Sequence, residues 1–414
     1  MKFLSGLSLG LLVAVAAYVY ASVTAGRTVT APPAEWTAGS AAGAAWRQLL
    51  VSLEAGGAEV FAATDDPAAR AEGLAYLAQL ASAALEMKLA RGDQAMPELT
   101  DWMSGYRKFL GDSPDAIYHT AEISADYIYE LTGNAGDAMY MGFTLYGRSL
   151  NGWNRVAANI TKDQMTLSAA GDFTLRMGRA RPAGYPGDWL SLPDDAHLIM
   201  IRQYFHDRDG ASPAQVSIRA LDPPARAVGD DQQVAAGLEA ATVFFNETLA
   251  GNLALMEMLM KAPNSFDPPR EYSPDFGGVF YPTTDNAYYG TWFSLAPGQA
   301  ILVEGVAPEA SYWSASVQNR WLQSLDDRHH PVSLNNNDIE VDGDGRYRLV
   351  VSPIDPGTGN WLGTGGSTEG LLAIRYQMAG TAKPPGMRVV SLVELQSPGD
   401  QGQPSENRER EGLR

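Results

Sequence analysis

The sequence predicts an α+β, mainly β protein: two tandem antiparallel jelly-roll or β-sandwich units, with helices ahead of the first unit and between the two. Three observations carry that reading. Residues 165–175 (MTLSAAGDFTL) align with 339–349 (IEVDGDGRYRL), Gly187-Asp188-Trp189-Leu190 with Gly359-Asn360-Trp361-Leu362, and Ile201-Arg202 with Ile374-Arg375, in one order at an offset of about 173 residues. A repeat of that length means paired domains rather than a solenoid. Short alternating segments punctuated by Gly, Asn, Asp and Pro read as strands, and the helical stretches fall before and between them.

The elements follow in order. Residues 1–26 open with Lys2 and an apolar run from Phe3 to Ala25. Val23-Thr24-Ala25 suits cleavage of a signal peptide, whereas the length of the run equally suits an uncleaved N-terminal membrane anchor. Both readings put the folded part in the periplasm or elsewhere outside the cytoplasm, touching the membrane only through this segment. Residues 27–117 form a linker and helical region. Trp46, Leu49, Leu50 and Leu53 recur at helical spacing up to Gly56-Gly57, and Asp65-Asp66-Pro67 opens a second helix with an acidic cap and a first-turn proline.

The first β unit spans 118–222, with strands expected at 127–131, 138–145, 164–167, 173–177 and 197–205. Pro223-Pro224 begins a linker region, 223–284, whose long helix from about Asp230 to Lys261 carries one apolar stripe. The second β unit occupies 285–396. The polar tail, 397–414, lacks apolar periodicity and reads as disordered.

Composition bounds function. The chain has 414 residues, 45% of them hydrophobic and 19% charged, as in ordinary globular proteins. A formal charge of -18 argues against nucleic acid, whose phosphates would repel it. With no cysteine, disulfides, thiol nucleophiles and cysteine metal sites are excluded. No G-x-S-x-G motif occurs, and the GTGG at 363–366 lacks the strand and helix of a phosphate loop. No cofactor is expected, and whether the protein is an enzyme is left open.

The duplication separates architecture from function: what both copies carry is architecture first, and what one copy carries is a candidate site. Trp189 and Trp361 each precede a strand bearing Arg202 or Arg375. Alternation puts Arg202 on one face with Leu198 and Met200, and Arg375 with Leu371 and Ala373. Such an arginine is either a structural ion pair, the favoured reading, or a guanidinium reaching an anionic ligand inside the sandwich.

Aligning Ala138 with Ala300 makes the second copy about 12 residues longer before its repeated segment. That stretch holds Trp313, Asn319, Trp321, Asp326, Asp327, Arg328, His329, His330 and Asn335. Tryptophans and amides there suit a sugar, whose ring faces stack on indole while amides meet its hydroxyls. For any single Trp, however, sandwich core is the commoner fate. His329 or His330 beside Asp326 or Asp327 would serve acid–base chemistry. Adjacent histidines on a strand face opposite ways, and no spaced third ligand supports a metal, so none is expected.

The second copy, with Trp313, Asn319, Arg328, Asn335, the Asp342-Gly343-Asp344-Gly345 turn, Asn360-Trp361-Leu362, Gly370 and Arg375, resembles the domain of unknown function 1214 over about residues 285–378. That domain often follows the one numbered 1254 in exported or anchored bacterial proteins. The resemblance implies tandem jelly-roll β domains and lends no established activity. Its Asn, Trp and Arg positions, Asn360 and Trp361 among them, become candidate ligand contacts.

The expectation is therefore an exported or anchored protein that binds, with processing left open, a glycan or similar polar small molecule at the second β unit. Trp313 and Trp321 would be stacking platforms, Asn319 and Asn335 hydrogen-bond donors, His329 an acid–base group, and Arg375 the partner of an anionic substituent. The alternatives are a non-catalytic envelope or assembly protein, oligomeric through the loop, and a hydrolase or lyase using Asp326 or Asp327.

Overall fold

The structure, a computed structural model, describes residues 37–149, 152–208, 210–224, 229–266, 280–378 and 383–395; the expected leader or anchor and the expected disordered tail lie outside the described residues. Two helices come first, α1 (Ala41–Ala63) and α2 (Pro67–Leu85), followed by a π-helical turn, Glu86–Ala90. Asp66 caps α2 by accepting from the Ala68 and Ala69 amides, with Pro67 in the first turn. α1 runs on through Gly56-Gly57, where the pattern suggested a stop. Packing explains it: a Cβ on Gly56 would lie 3.1 Å from the Phe245 ring of the long helix α3 (Asp231–Met260), so glycine lets the two helices approach. Asp230 caps α3 through the Gln233 amide.

The first β unit contains β1 (Thr100–Asp101), β2 (Ala116–Glu122), β3 (Tyr129–Asn134), β4 (Tyr140–Arg148), β5 (Asn154–Thr161), β6 (Asp172–Gly178), β7 (Asp188–Ser191), β8 (Leu198–Tyr204) and β9 (Gln215–Ala220). The second contains β10 (Asn286–Ser294), β11 (Gln299–Val306), β12 (Tyr312–Gln318), β13 (Ser333–Asn335), β14 (Arg346–Ser352), β15 (Trp361–Gly363), β16 (Glu369–Gln377) and β17 (Gly386–Ser391), closed by the single turn α4 (Leu392–Leu395).

The sheets run β1-β2-β8-β4-β5 with β7-β6-β3-β9, and β10-β16-β12-β13 with β15-β14-β11-β17. Leaving β1 aside, the two units have one strand order, including a parallel pair at the same place, β6 with β7 and β14 with β15. Duplication of a mainly β sandwich is thus visible in the topology. Of residues 164–167, expected to be a strand, Gln164 ends a 3-10 turn at Lys162–Gln164 capped reciprocally by Thr161 and Gln164, and 165–167 pair with no strand.

This topology also corrects the loop comparison. β12, not β11, is the counterpart of β4, so Tyr312 answers to Tyr140 and the following connections have nearly equal length. The real difference is in kind. The first unit spends that length on β5, whereas the second spends it on an irregular loop ending in the three-residue β13.

Each sandwich has a core between its own sheets, built from Phe143, Leu175 and Ile201 in the first and from Val303, Leu349 and Ile374 in the second. A third core gathers the helices with the outward faces of both units, and includes Tyr76, Trp102, Tyr204, Phe245, Tyr312 and Trp321. β8 is therefore buried on both faces, which is why Leu198–Tyr204 reads as a near-continuous apolar run. Among the described residues no helix is long and apolar enough to cross a membrane.

The third core is tight where α2 meets the second unit. A Cβ on Gly73 would lie 2.6 Å from both Trp321 Cζ2 and Val60 Cγ1. Gly73→Val should therefore cost roughly 1–3 kcal/mol by overpacking. Urea denaturation checks this, and an unchanged midpoint would show that the helix and Trp321 are not in contact.

Candidate functional site

Strand alternation sends Arg202 on β8 and Arg375 on β16 to the outer faces of their sandwiches, and those faces meet. Both guanidiniums line one cavity of about 110 Å³ between the units. This corrects the expectation of an arginine facing the inside of its own sandwich. The side chains that alternate with it, such as Ile201 and Ile374, fill that interior.

The two arginines are held in equivalent ways, each by its own sheet and by the opposite unit. Arg202 donates from Nη1 to Thr144 Oγ1 at 3.1 Å, and from Nη2 to the Tyr281 carbonyl at 2.5 Å and the Tyr146 hydroxyl at 2.7 Å. Arg375 donates from Nη1 to Ser316 Oγ at 3.0 Å, and from Nη2 to the Gly111 and Asp112 carbonyls at 2.6 and 3.0 Å. Tyr281 and Gly111 occupy matching places ahead of β10 and β2, and both have left-handed backbones, with φ of 51° and 72°. That conformation turns each carbonyl toward the arginine opposite.

A second reciprocal pair brackets the first. The Tyr140 hydroxyl donates to Asp285 Oδ2 at 2.6 Å, and the Tyr312 hydroxyl donates to Asp115 Oδ2 at 2.7 Å. Asn159 and Asn335 each add an amide to the same oxygens at 3.2 Å. One oxygen of each carboxylate is thus occupied by hydrogen bonds across the interface, while Asp285 Oδ1 is buried with no hydrogen-bond partner among the described residues. Among the described residues neither carboxylate forms an ion pair with Arg202 or Arg375, whose ionisable surroundings are mainly tyrosines, with Asp115 also acting electrostatically on Arg375.

Tyr118, Tyr204, Tyr288 and Gln318 add to the polar part of the wall. Burial pushes the Tyr118 and Tyr204 hydroxyls above the ordinary phenol range, so they stay protonated and can donate. The remainder is apolar, chiefly Trp102, Met200, Leu255, Phe280, Leu322 and Leu371. An arginine has five N–H donors and cannot lose its charge in a protein. Each here makes three hydrogen bonds within the described residues, all to neutral oxygens. What this arrangement can do chemically is accept an anion.

The residues singled out from the sequence are placed as follows. Trp313 is 3% exposed inside the second sandwich, and Trp321 is fully buried against Tyr76, its indole donating to the Ala69 carbonyl at 2.9 Å. Neither presents a ring face to solvent, because both were recruited to cores. Asn319 caps its own turn through the Trp321 and Gln323 amides. Asn360, at φ 54°, ties the Glu340 and Arg348 carbonyls together, and Trp361 bonds Ser352 at the sheet edge. Trp189 and Trp361 stand at matching places beside the parallel pair, which makes them architecture.

On the loop, both Asp326 oxygens are taken by Arg328 at 2.8 and 3.0 Å, and these bonds hold its carboxyl at about 2. Arg328 also lies over the Tyr106 ring, and Asp327 meets Lys108 at 3.3 Å. His329 is exposed, 4.0 Å from Asp326, and His330 is exposed beside it. A shallow polar cleft of about 260 Å³ adjoins this loop, lined by Glu72, Lys108, Asn319 and Asp326. Neither histidine lines it. Among the described residues no group of three His, Cys, Asp or Glu is placed to hold a metal ion.

The structure brings Arg375 and Asn335 to the inter-unit face and leaves the other candidates elsewhere. Sequence reasoning missed Tyr118, Tyr204, Tyr288 and the partner role of Arg202. Their signal was present: Tyr118 with Tyr288, Tyr140 with Tyr312 and Asp115 with Asp285 recur at nearly the offset of the first matches.

Burial raises the Asp115 carboxyl above its usual value, against the hydrogen bonds of Tyr312 and Asn335. The folded state then holds that proton more tightly than the unfolded chain. The carboxyl's contribution is most favourable in acid and is lost as pH rises from near 3.9 through the raised folded value. Asp115→Asn, which keeps an acceptor for Tyr312, should therefore gain melting temperature relative to wild type as pH rises from 4 to 8. A gap that narrows over that range would reject the assignment.

Comparison with known proteins gives a family and a fold. Residues 119–207 and 279–380 each match the family described as "Protein of unknown function (DUF1214)". Among solved structures, an uncharacterized protein from Burkholderia cenocepacia shares 26% identity, covering 85% of this chain and 98% of its own, with a TM-score of 0.77. The VPA0106 protein from Vibrio parahaemolyticus shares 13% identity over 77% of this chain and 98% of its own, with a TM-score of 0.46. No curated protein matches the chain.

Proposed function

We propose, for a chain that belongs to the DUF1214 family through both of its β units, that it is an exported small-molecule-binding protein taking an anionic ligand in the cavity between those units. The observation that carries this reading is the pair of buried guanidiniums facing one cavity, each hydrogen-bonded only to neutral oxygens and neither in an ion pair among the described residues, although Asp115 acts electrostatically on Arg375. Removing a charge from water without an ion-pair partner costs several kcal/mol, and arginine has no neutral form to retreat to. A ligand anion between Arg202 and Arg375 recovers that cost.

Export belongs to the proposal through the apolar run from Phe3 to Ala25. The site moves from the second unit to the junction. A stacked sugar needs open aromatic faces, and those of Trp313 and Trp321 are covered.

Thermal shift of the purified chain against acetate, benzoate, phosphate, sulfate and glucuronate tests the reading. At least one anion should raise the melting temperature, a ligand at 100 times its Kd contributing about 2.7 kcal/mol. Arg375→Lys, which keeps the charge but not the fork, should weaken that anion at least tenfold, and Tyr288→Phe provides a second, gentler variant. No shift from any anion, or shifts indifferent to both variants, would end the proposal.

A further inference from the structure

The chemistry of the remaining wall narrows the ligand, given the anion-binding reading just proposed. Among the described residues, the cavity presents no Asp, Glu, Asn, Ser, Thr, His or Lys side chain. Beyond the two arginines, its polar side chains are chiefly tyrosines and Gln318, whose Nε2 donates to the Asp112 carbonyl at 3.1 Å and whose Oε1 is left as a single unpartnered acceptor. A sugar or other polyol entering here would bury hydroxyls that find few partners, and each such loss is severe relative to water. Inorganic phosphate meets a related obstacle: its several oxygens ask for donors on all sides, while much of this wall offers carbon.

Part of the apolar wall comes from elements that carry neither arginine. The arginines and Tyr118 belong to strands β2, β8 and β16, whereas Leu255 comes from α3 and Leu322 from the loop after β12. Leu255, Leu322 and Leu371 form one small apolar cluster with α3, so that end of the cavity is continuous with hydrophobic packing. A space of about 110 Å³ is of the order that holds a single ring or a short chain.

We infer that the ligand is a carboxylate with a compact apolar body, its acid group between Arg202 and Arg375 and its chain or ring against Leu255, Leu322 and Leu371. A single carboxylate matches guanidinium geometry, neutralises charge and brings no hydroxyls. The body then supplies affinity by leaving water.

Isothermal titration of the purified wild-type chain with acetate, butanoate, hexanoate, hexanamide, benzoate, phosphate and glucuronate decides the matter. Expected is a tightening of about fourfold per added methylene from acetate to hexanoate, as burial of a CH₂ implies. Benzoate should bind at least tenfold tighter than acetate, phosphate and glucuronate, and hexanamide at least tenfold weaker than hexanoate. Leu255→Ala should flatten the chain-length series, cutting hexanoate affinity by more than it cuts that of acetate.

Failure separates cleanly. A flat series, or phosphate or glucuronate equal to hexanoate and still weakened by Arg375→Lys, overturns the carboxylate class and leaves the anion reading standing. Hexanamide equal to hexanoate, or no anion bound at all, overturns both.

Discussion

Two buried arginines, each donating to a backbone carbonyl of the opposite unit, are the constraint on which this architecture depends. A guanidinium lodged between sandwiches cannot be neutralised and cannot be left without acceptors. The carbonyls of Tyr281 and Gly111 answer that need, and they do so only with left-handed backbone at both positions. The ordering runs one way: charge requires acceptor, acceptor requires backbone geometry, and that geometry sets how the segments ahead of β10 and β2 cross the junction. The Tyr140–Asp285 and Tyr312–Asp115 hydrogen bonds then fix the same junction from its flanks. The two sandwiches are joined through polar contacts as well as through the apolar core they share with the helices.

The two carbonyl positions carry backbone strain differently, although Leu110 beside Gly111 is also left-handed at φ 53°. Glycine takes up φ 72° at position 111 with no steric penalty, whereas Tyr281 at φ 51° carries a cost of roughly 1–2 kcal/mol. Its ring offsets that cost. It packs edge-on against Trp102 at 4.7 Å and Tyr146 at 5.1 Å, inside the core that joins helices to sheets. A glycine there would relax the backbone and empty a hole in that core. Residue type at these matched positions thus reports what each half must do besides holding its arginine.

How much of this was legible follows from which interactions leave a mark in one dimension. The duplication did, because β strands buried between two sheets tolerate few residue types, and Ile201-Arg202 and Ile374-Arg375 kept theirs. The faces of those strands were legible too, since alternation alone groups Arg202 with Leu198 and Met200. What the arginines face was not, because the distance between units in space has no signature in spacing along the chain. The same gap misdirected attention to the loop: Trp313 and Trp321 read as ligand platforms or as core from sequence alone, and tertiary contacts with Tyr347 and Tyr76 chose core. β5 escaped notice because Asn154–Thr161 alternates weakly and lies at a sheet edge, where few positions need be apolar.

The junction is nearly two-fold, and the departures from symmetry say more than the symmetry. Tyr146 and Gln318 hold matching places and both reach carbonyls of the opposite unit, yet one is a phenol and the other an amide. Met200 on β8 faces Ala373 at the same place on β16, and α3 adds Leu255 on one side only. A perfectly symmetric cavity would favour a ligand with two equal ends. This one retains a symmetric pair of cations while its apolar walls differ, so the charged feature is common to both copies and the apolar feature belongs to one. The two copies therefore share the charged part of the wall and differ in its apolar part, which is where the anion-binding proposal locates discrimination between one ligand and another.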